Sequence, residues 1–172
     1  FELGYHVGTT KFSINANTYY TVWDGKPLDY VRIDDGLFYT VPGLDARHMG
    51  IELDAVYKLT KKFELQGMVS LGDWIWTSKN VSVSEFDEPS RTITPTDKVF
   101  SFNGIHVGDA PQTQLALSVN YKPIKGGYLR FKYGYNARYY SDYSPQPTTD
   151  SFEDDYKPQD AWEIPDYGTF DM

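Results

Sequence analysis

Cysteine is absent from the 172 residues, which excludes a disulfide framework and any thiolate metal site. No run approaches the roughly 18 consecutive apolar residues of a membrane-spanning helix. That excludes a helical membrane protein, but not a transmembrane β-barrel, whose lipid-facing and lumen-facing residues alternate and average to a low hydropathy. The mean hydropathy here is −0.53. Basic charge is short as well: 16 Lys and Arg against 24 Asp and Glu leave a formal charge of −8, whereas a nucleic-acid binder would carry a basic patch. Nucleic acid is therefore not an expected partner. Catalytic signatures are missing too. Neither HExxH nor a Gly-rich phosphate loop occurs, and the three histidines lack the i, i+4 spacing of a zinc site. The chain is not read as an enzyme, and no cofactor or metal is expected.

What is present is alternation. Seven strand-like runs can be sorted by parity, because successive strand side chains point to opposite faces. Phe1, Leu3, Tyr5 and Val7 oppose Glu2, Gly4 and His6; Phe12, Ile14, Ala16 and Tyr20 oppose Lys11, Ser13, Asn15 and Asn17. A third run sets Ile51, Leu53, Ala55 and Tyr57 against Gly50, Glu52, Asp54 and Val56, and a fourth sets Phe63, Leu65, Val69 and Leu71 against Glu64, Gln66, Met68 and Ser70. The fifth opposes Leu115, Leu117, Val119 and Tyr121 to Gln114, Ala116, Ser118 and Asn120. The sixth opposes Leu129, Phe131, Tyr133 and Tyr135 to Arg130, Lys132, Gly134 and Asn136, and a seventh starts at Tyr167.

Runs of about ten residues exceed the usual strand of a globular sheet and match a tilted strand crossing a bilayer. The connections alternate in length. Residues 8–10, 60–62 and 123–127 make tight turns, whereas 24–47, 77–111 and 144–164 read as long polar loops rich in Asp, Pro, Ser and Thr. Short turns at one end and long loops at the other are the asymmetry of outer-membrane barrels, with the long end extracellular. Tyr57, Phe63, Tyr121 and Tyr128 flank the short turns, and Tyr20, Trp23, Trp74, Trp76, Tyr139 and Tyr140 lie toward the long loops, where amphipathic rings would form headgroup girdles. The expected fold is all-β, an antiparallel transmembrane β-barrel wall with the apolar parity toward lipid and the polar parity toward a lumen. The competing fold is a soluble antiparallel sandwich or lipocalin-like barrel, whose apolar parity would face inward. Against it stand the long connections, because compact domains rarely hold long structureless loops.

Ordered segments carry a family likeness: "NTYYTVWDGKPL" (residues 17–28), "LFYTVPGLDARHMGIELDAVYKLTKKFELQGMVSLGDWIW" (37–76), "VGDAPQTQLALSVNY" (107–121), "ARYYSDYSP" (137–145) and "DAWEIPDYGTFD" (160–171). Together they resemble the barrel of a TonB-dependent outer-membrane receptor of the Bacteroidetes type. The likeness implies a barrel of roughly 22 strands around a plug. Residues 1–172 would supply about seven of those strands, from the C-terminal part of the barrel, without the plug, the Ton box or the last strands. In keeping with this, Phe1 begins inside one alternating run and Met172 ends inside another, so the sequence reads as a piece of something larger. The function implied is import of a scarce ligand, bound at extracellular loops and taken up with energy relayed by TonB. Implied partners are the remainder of the barrel and its plug, the TonB–ExbB–ExbD system, outer-membrane lipid and, as a further possibility, a surface lipoprotein. A structural or assembly component on a receptor-like barrel, and a passive porin, are the alternatives.

Candidate ligand contacts are the polar-parity positions toward the long loops: Trp74, Trp76, Arg138 and Tyr140. Aromatic rings and Arg give large contact area with a polar handle; the same residues also suit a girdle or loop packing. Glu2, His6, Glu52, Asp54 and Glu64 share the polar parity, as expected of a wet lumen rather than of an acid/base site. The cluster Asp150, Glu153, Asp154 and Asp155 offers oxygen ligands of the kind Ca²⁺ takes, but without EF-hand order it reads as a solvated acidic loop.

Overall fold

The computed structural model describes residues 1–32, 37–108, 110–143, 148, 152–153 and 156–172, with 27–32 described by backbone alone. Among these residues eleven strands and no helix are found. The strands are β1 (Glu2–Gly8), β2 (Phe12–Arg32), β3 (Phe38–Lys58), β4 (Phe63–Trp76), β5 (Val81–Asp87), β6 (Thr92–Phe100), β7 (Thr113–Tyr121), β8 (Leu129–Ala137), β9 (Tyr139–Tyr140), β10 (Glu163–Ile164) and β11 (Tyr167–Asp171). Every pairing is antiparallel.

The seven alternating runs form one sheet in the order β1-β2-β3-β4-β7-β8-β11. Its register is unbroken from β3 through β8, for example from Ala46↔Trp76 to Lys58↔Glu64 and from Phe63↔Tyr121 to Leu71↔Thr113. Because a one-residue slip would turn a strand over, this register keeps each parity on one face. One row across the sheet reads Val7, Ile14, Ala55, Gly67, Leu117, Tyr133, Phe170, and the adjacent row on the other face reads His6, Asn15, Asp54, Met68, Ala116, Gly134, Thr169. The apolar face is bare: Leu3 is 61% exposed, Ile51 60%, Leu117 56% and Phe170 67%. Soluble monomers rarely leave so large a contiguous apolar surface open to water. β1 and β11 stand at the two ends of the path and are not paired with each other.

The hydrophobic core of the described residues lies elsewhere. Tyr39, Val41, Leu44, Ala46, Trp76, Val83, Phe100, Phe102, Ile105, Val107, Tyr140 and Ala161 form one buried cluster at the long-connection end. Ala46 and Trp76 are register partners, two residues along from the pair His48↔Trp74, so this core sits on the polar side of the sheet. The chain thus folds its own connections over the polar parity and leaves the apolar parity uncovered.

Two connections that the sequence suggested were long loops are corrected by this arrangement. β2 and β3 continue out of the main sheet to 21 residues each, although Asp, Gly and Pro are poor strand formers. Register shifts between Trp23 and Lys26 and between Lys26 and Leu28 absorb them, with Gly25 at φ 64° where other residues would be strained. Residues 77–111 hold the β5–β6 hairpin, and β5 replaces β4 as neighbour to the outer part of β3 through Phe38↔Phe86 and Thr40↔Ser84. These two connections are structured, so loop length no longer argues against a soluble sandwich. The bare apolar face carries that argument instead. Of the acidic cluster, Asp150, Asp154 and Asp155 lie outside the described residues.

Candidate functional site

Where the polar face meets the loop core, glycines open a floor for aromatic rings. Gly50 and Gly72 are register partners on β3 and β4. A Cβ on Gly50 would come within 2.6 Å of the Tyr19 ring and 2.7 Å of the Leu71 carbonyl oxygen, so only Gly lets Tyr19 lie flat across the strand. The Trp74 indole N–H donates to the Tyr19 hydroxyl at 2.8 Å. His48 stacks on Trp74, ring centroids 5.4 Å apart and planes 15° from parallel, and Trp23 meets His48 edge-on at 6.2 Å. The result is an aromatic patch, Tyr19, Trp23, His48 and Trp74, on the polar face at the long-connection end of the sheet. His48 Nε2 is buried there with no hydrogen-bond partner.

Gln112 and Arg138 fasten this patch to the loop core. The Gln112 side chain, 1% exposed, accepts from the Trp74 backbone N–H at 3.0 Å and donates to the carbonyls of Trp74 at 3.0 Å and Val107 at 3.2 Å. Its backbone N–H donates to the Arg138 carbonyl at 3.0 Å, and its carbonyl accepts from Gly72 N–H at 2.6 Å. Arg138 sits at φ 52°, a left-handed conformation unusual for a residue other than Gly, between β8 and β9. Its Nη1 donates to the Gly72 carbonyl at 2.9 Å. The guanidinium is thereby drawn across to β4 at Gly72.

Of the four candidate contacts, Trp74 and Arg138 both reach Gly72, and Arg138 also hydrogen-bonds Tyr140. Trp76 and Tyr140, each 7% exposed, are packed in the loop core. The Lys26 ammonium sits 5.1 Å above the Trp76 ring centroid, a cation–π contact. Tyr140 stacks on His106 at 4.2 Å with planes 5° apart. His106 is in turn held by Asp160, which accepts from its backbone N–H at 2.9 Å and pairs with its Nδ1 at 2.5 Å. Tyr19, His48 and Gln112 were not among the candidate contacts read from the sequence. The one available signal was two glycines at even positions in two long runs.

Farther along the polar face the charged side chains are dispersed. His6 Nδ1 pairs with Asn15 Oδ1 at 2.6 Å, and Glu64 accepts from Gln66 at 2.9 Å and Asn120 at 3.2 Å. Among the described residues no three His, Asp or Glu side chains converge as a metal-binding group. The arrangement can offer ring faces, one guanidinium and amide groups to a solute by contact. On the opposite face, the Arg47–Asp73 ion pair at 2.9 Å marks where the apolar band gives way to charge. No family model, no curated protein and no solved structure matches the chain.

Proposed function

We propose that this chain is part of the wall of a transmembrane β-barrel in a bacterial outer membrane, and that the barrel is a TonB-dependent receptor importing a scarce ligand. The carrying observation is the exposed apolar face, continuous across seven strands, in a chain that buries its loops against the opposite face. Hydrocarbon would cover such a face without any protein partner, and open sheet edges such as β1 and β11 would be completed by further strands. The receptor part rests on the likeness of the ordered segments quoted above. The aromatic patch with Arg138 at the long-connection end suits a solute arriving from that side.

The wall is tested by spin labels. The chain has no cysteine, so Leu117→Cys and Phe131→Cys give single labels in the detergent-purified, reconstituted protein. Collision with membrane-dissolved oxygen, and not with a water-soluble nickel chelate, is the expected result. Labels shielded from both reagents in a monomer that needs no detergent would refute the wall.

A passive porin is disfavoured by the folded connections, which cover the long-connection end of the polar face with a packed core. The receptor is accordingly expected to give no steady conductance in a planar bilayer, and its ligand uptake to cease when TonB is deleted. Uptake unaffected by loss of TonB would leave the barrel and remove the receptor.

A further inference from the structure

The chain's charge is divided along the strand direction. Three turns, residues 8–12, 57–63 and 121–129, carry Lys11, Lys58, Lys61, Lys62, Lys122 and Lys125 and no carboxylate, in a chain of formal charge −8. The sheet sets these turns side by side. Lys58 N–H donates to the Lys11 carbonyl at 2.7 Å, and Lys122 N–H donates to the Lys62 carbonyl at 2.8 Å. All six lysines are exposed, and among the described residues none of their ammonium groups forms an ion pair. Between the second and third turns runs a groove lined by Lys61, Lys62, Lys122, Ile124, Lys125 and Tyr128.

Like charges gathered this closely repel one another. The carboxylate beside them, Glu64, is the register partner of Lys58 but is engaged by Gln66 and Asn120 and, among the described residues, forms no ion pair with a lysine. Directly adjoining them on the apolar face is an aromatic belt. Phe63 and Tyr121 stack at 4.4 Å, Tyr57 is 45% exposed, and Tyr128 and Ile124 are each 72% exposed. Apolar surface ending in aromatic rings and then in unpaired ammonium groups is the profile of a bilayer margin of negative charge. Carboxylates gather at the other end instead, including Glu85, Asp87, Glu88, Asp97, Asp142 and Glu163.

We propose that the short-turn rim is a binding surface for the anionic headgroups of phospholipids in the leaflet it meets, with the lysine-lined groove as its centre. This rests on the barrel-wall reading. The occupant is a lipid phosphate rather than a free anion, because the lysines border the apolar face on which the acyl chains would lie.

The test uses spin-labelled phosphatidylglycerol and phosphatidylcholine with the protein reconstituted in phosphatidylcholine vesicles. Phosphatidylglycerol is expected to be enriched in the immobilised lipid shell by roughly fivefold, the effect of one Lys near an anionic surface. The enrichment should vanish in the Lys61→Gln, Lys62→Gln, Lys122→Gln, Lys125→Gln variant and at about 1 M salt, where the Debye length is about 3 Å. Lys157→Gln, at the opposite end, should leave it unchanged. Equal immobilisation of both lipids, or enrichment that survives the quadruple variant, overturns the proposal while leaving the wall intact. No immobilised lipid of either kind overturns the wall itself. Inorganic phosphate displacing phosphatidylglycerol better than chloride at equal ionic strength would reveal a free-anion site and likewise overturn it.

Discussion

The side-chain amide of Gln112 pairs with the backbone of Trp74 in both directions, accepting its N–H and donating to its carbonyl at 3.0 Å each. A side chain here does the work of a neighbouring strand, extending the ladder of β4 past the point where β7 begins. Replacing it with Leu keeps the volume but removes the Gln112 partner of the Trp74 N–H and of the Val107 carbonyl, while the Trp74 carbonyl keeps the Val107 N–H at 2.9 Å. The expected cost for Gln112→Leu is about 1–3 kcal/mol, measured as a lower denaturant midpoint for the loop core by tryptophan fluorescence. Faster hydrogen exchange at the Trp74 amide should accompany it.

Leu53 and Asp54 are chain neighbours on opposite faces of β3. On the barrel-wall reading, Leu53→Arg places a guanidinium in hydrocarbon and should destabilise the barrel by about 2–4 kcal/mol if it lies near the midplane. Asp54→Arg should change stability by less than about 1 kcal/mol. Folding into lipid vesicles, followed by gel mobility without heating, compares the two. Equal tolerance would contradict the assignment of faces.

Gly50 is a matter of space, since Tyr19 lies where its Cβ would be. Gly50→Val should displace the Tyr19 ring, break its bond with Trp74 and cost about 1–3 kcal/mol, as overpacking does. Tyr19→Ala in the same background should recover part of that loss. A double-mutant cycle read by unfolding midpoints gives the coupling.

Tyr143 packs edge-on against Phe102 at 5.6 Å, and its phenol is pushed up to about 12, first by burial and then by Tyr156 and Asp160. Burial also raises Tyr140, against the opposing hydrogen bond from Arg138. A phenol whose folded pKa exceeds its unfolded value of about 10 contributes stability that is complete below about pH 10 and lost as pH rises through about 12. The loop core should therefore loosen over that window, seen as a change in tryptophan emission, while the seven-strand sheet persists. Tyr143→Phe should flatten the response, and an unchanged profile in that variant would sink this account.

Parity was legible because it is local. Leu115, Leu117 and Val119 announce a face with no reference to the rest of the chain, and the unbroken register from β3 to β8 carried each local face across the whole sheet. Residues 24–47 were misread because bulges around Gly25 reset the alternation, so that a 21-residue strand looks like a polar loop. Parity and position were enough to put Trp74 and Arg138 on the polar side near the long connections. They did not mark Gln112, since its partners are 38 residues away on Trp74 and five away on Val107.

By itself, the sequence determined that the chain is all-β, that its strands have one apolar and one polar side, and that tight turns alternate with long connections. Those properties follow from the two-residue period of a strand and from the nearest-neighbour chemistry of turns. Only the tertiary structure decided on which face the long connections would pack and that Trp76 and Tyr140 would be spent in a core. It also decided that six lysines from three distant turns would stand together. Each of these depends on contacts between segments far apart in the chain, where Tyr39, Phe100 and Tyr140 meet, and no local pattern encodes such a meeting.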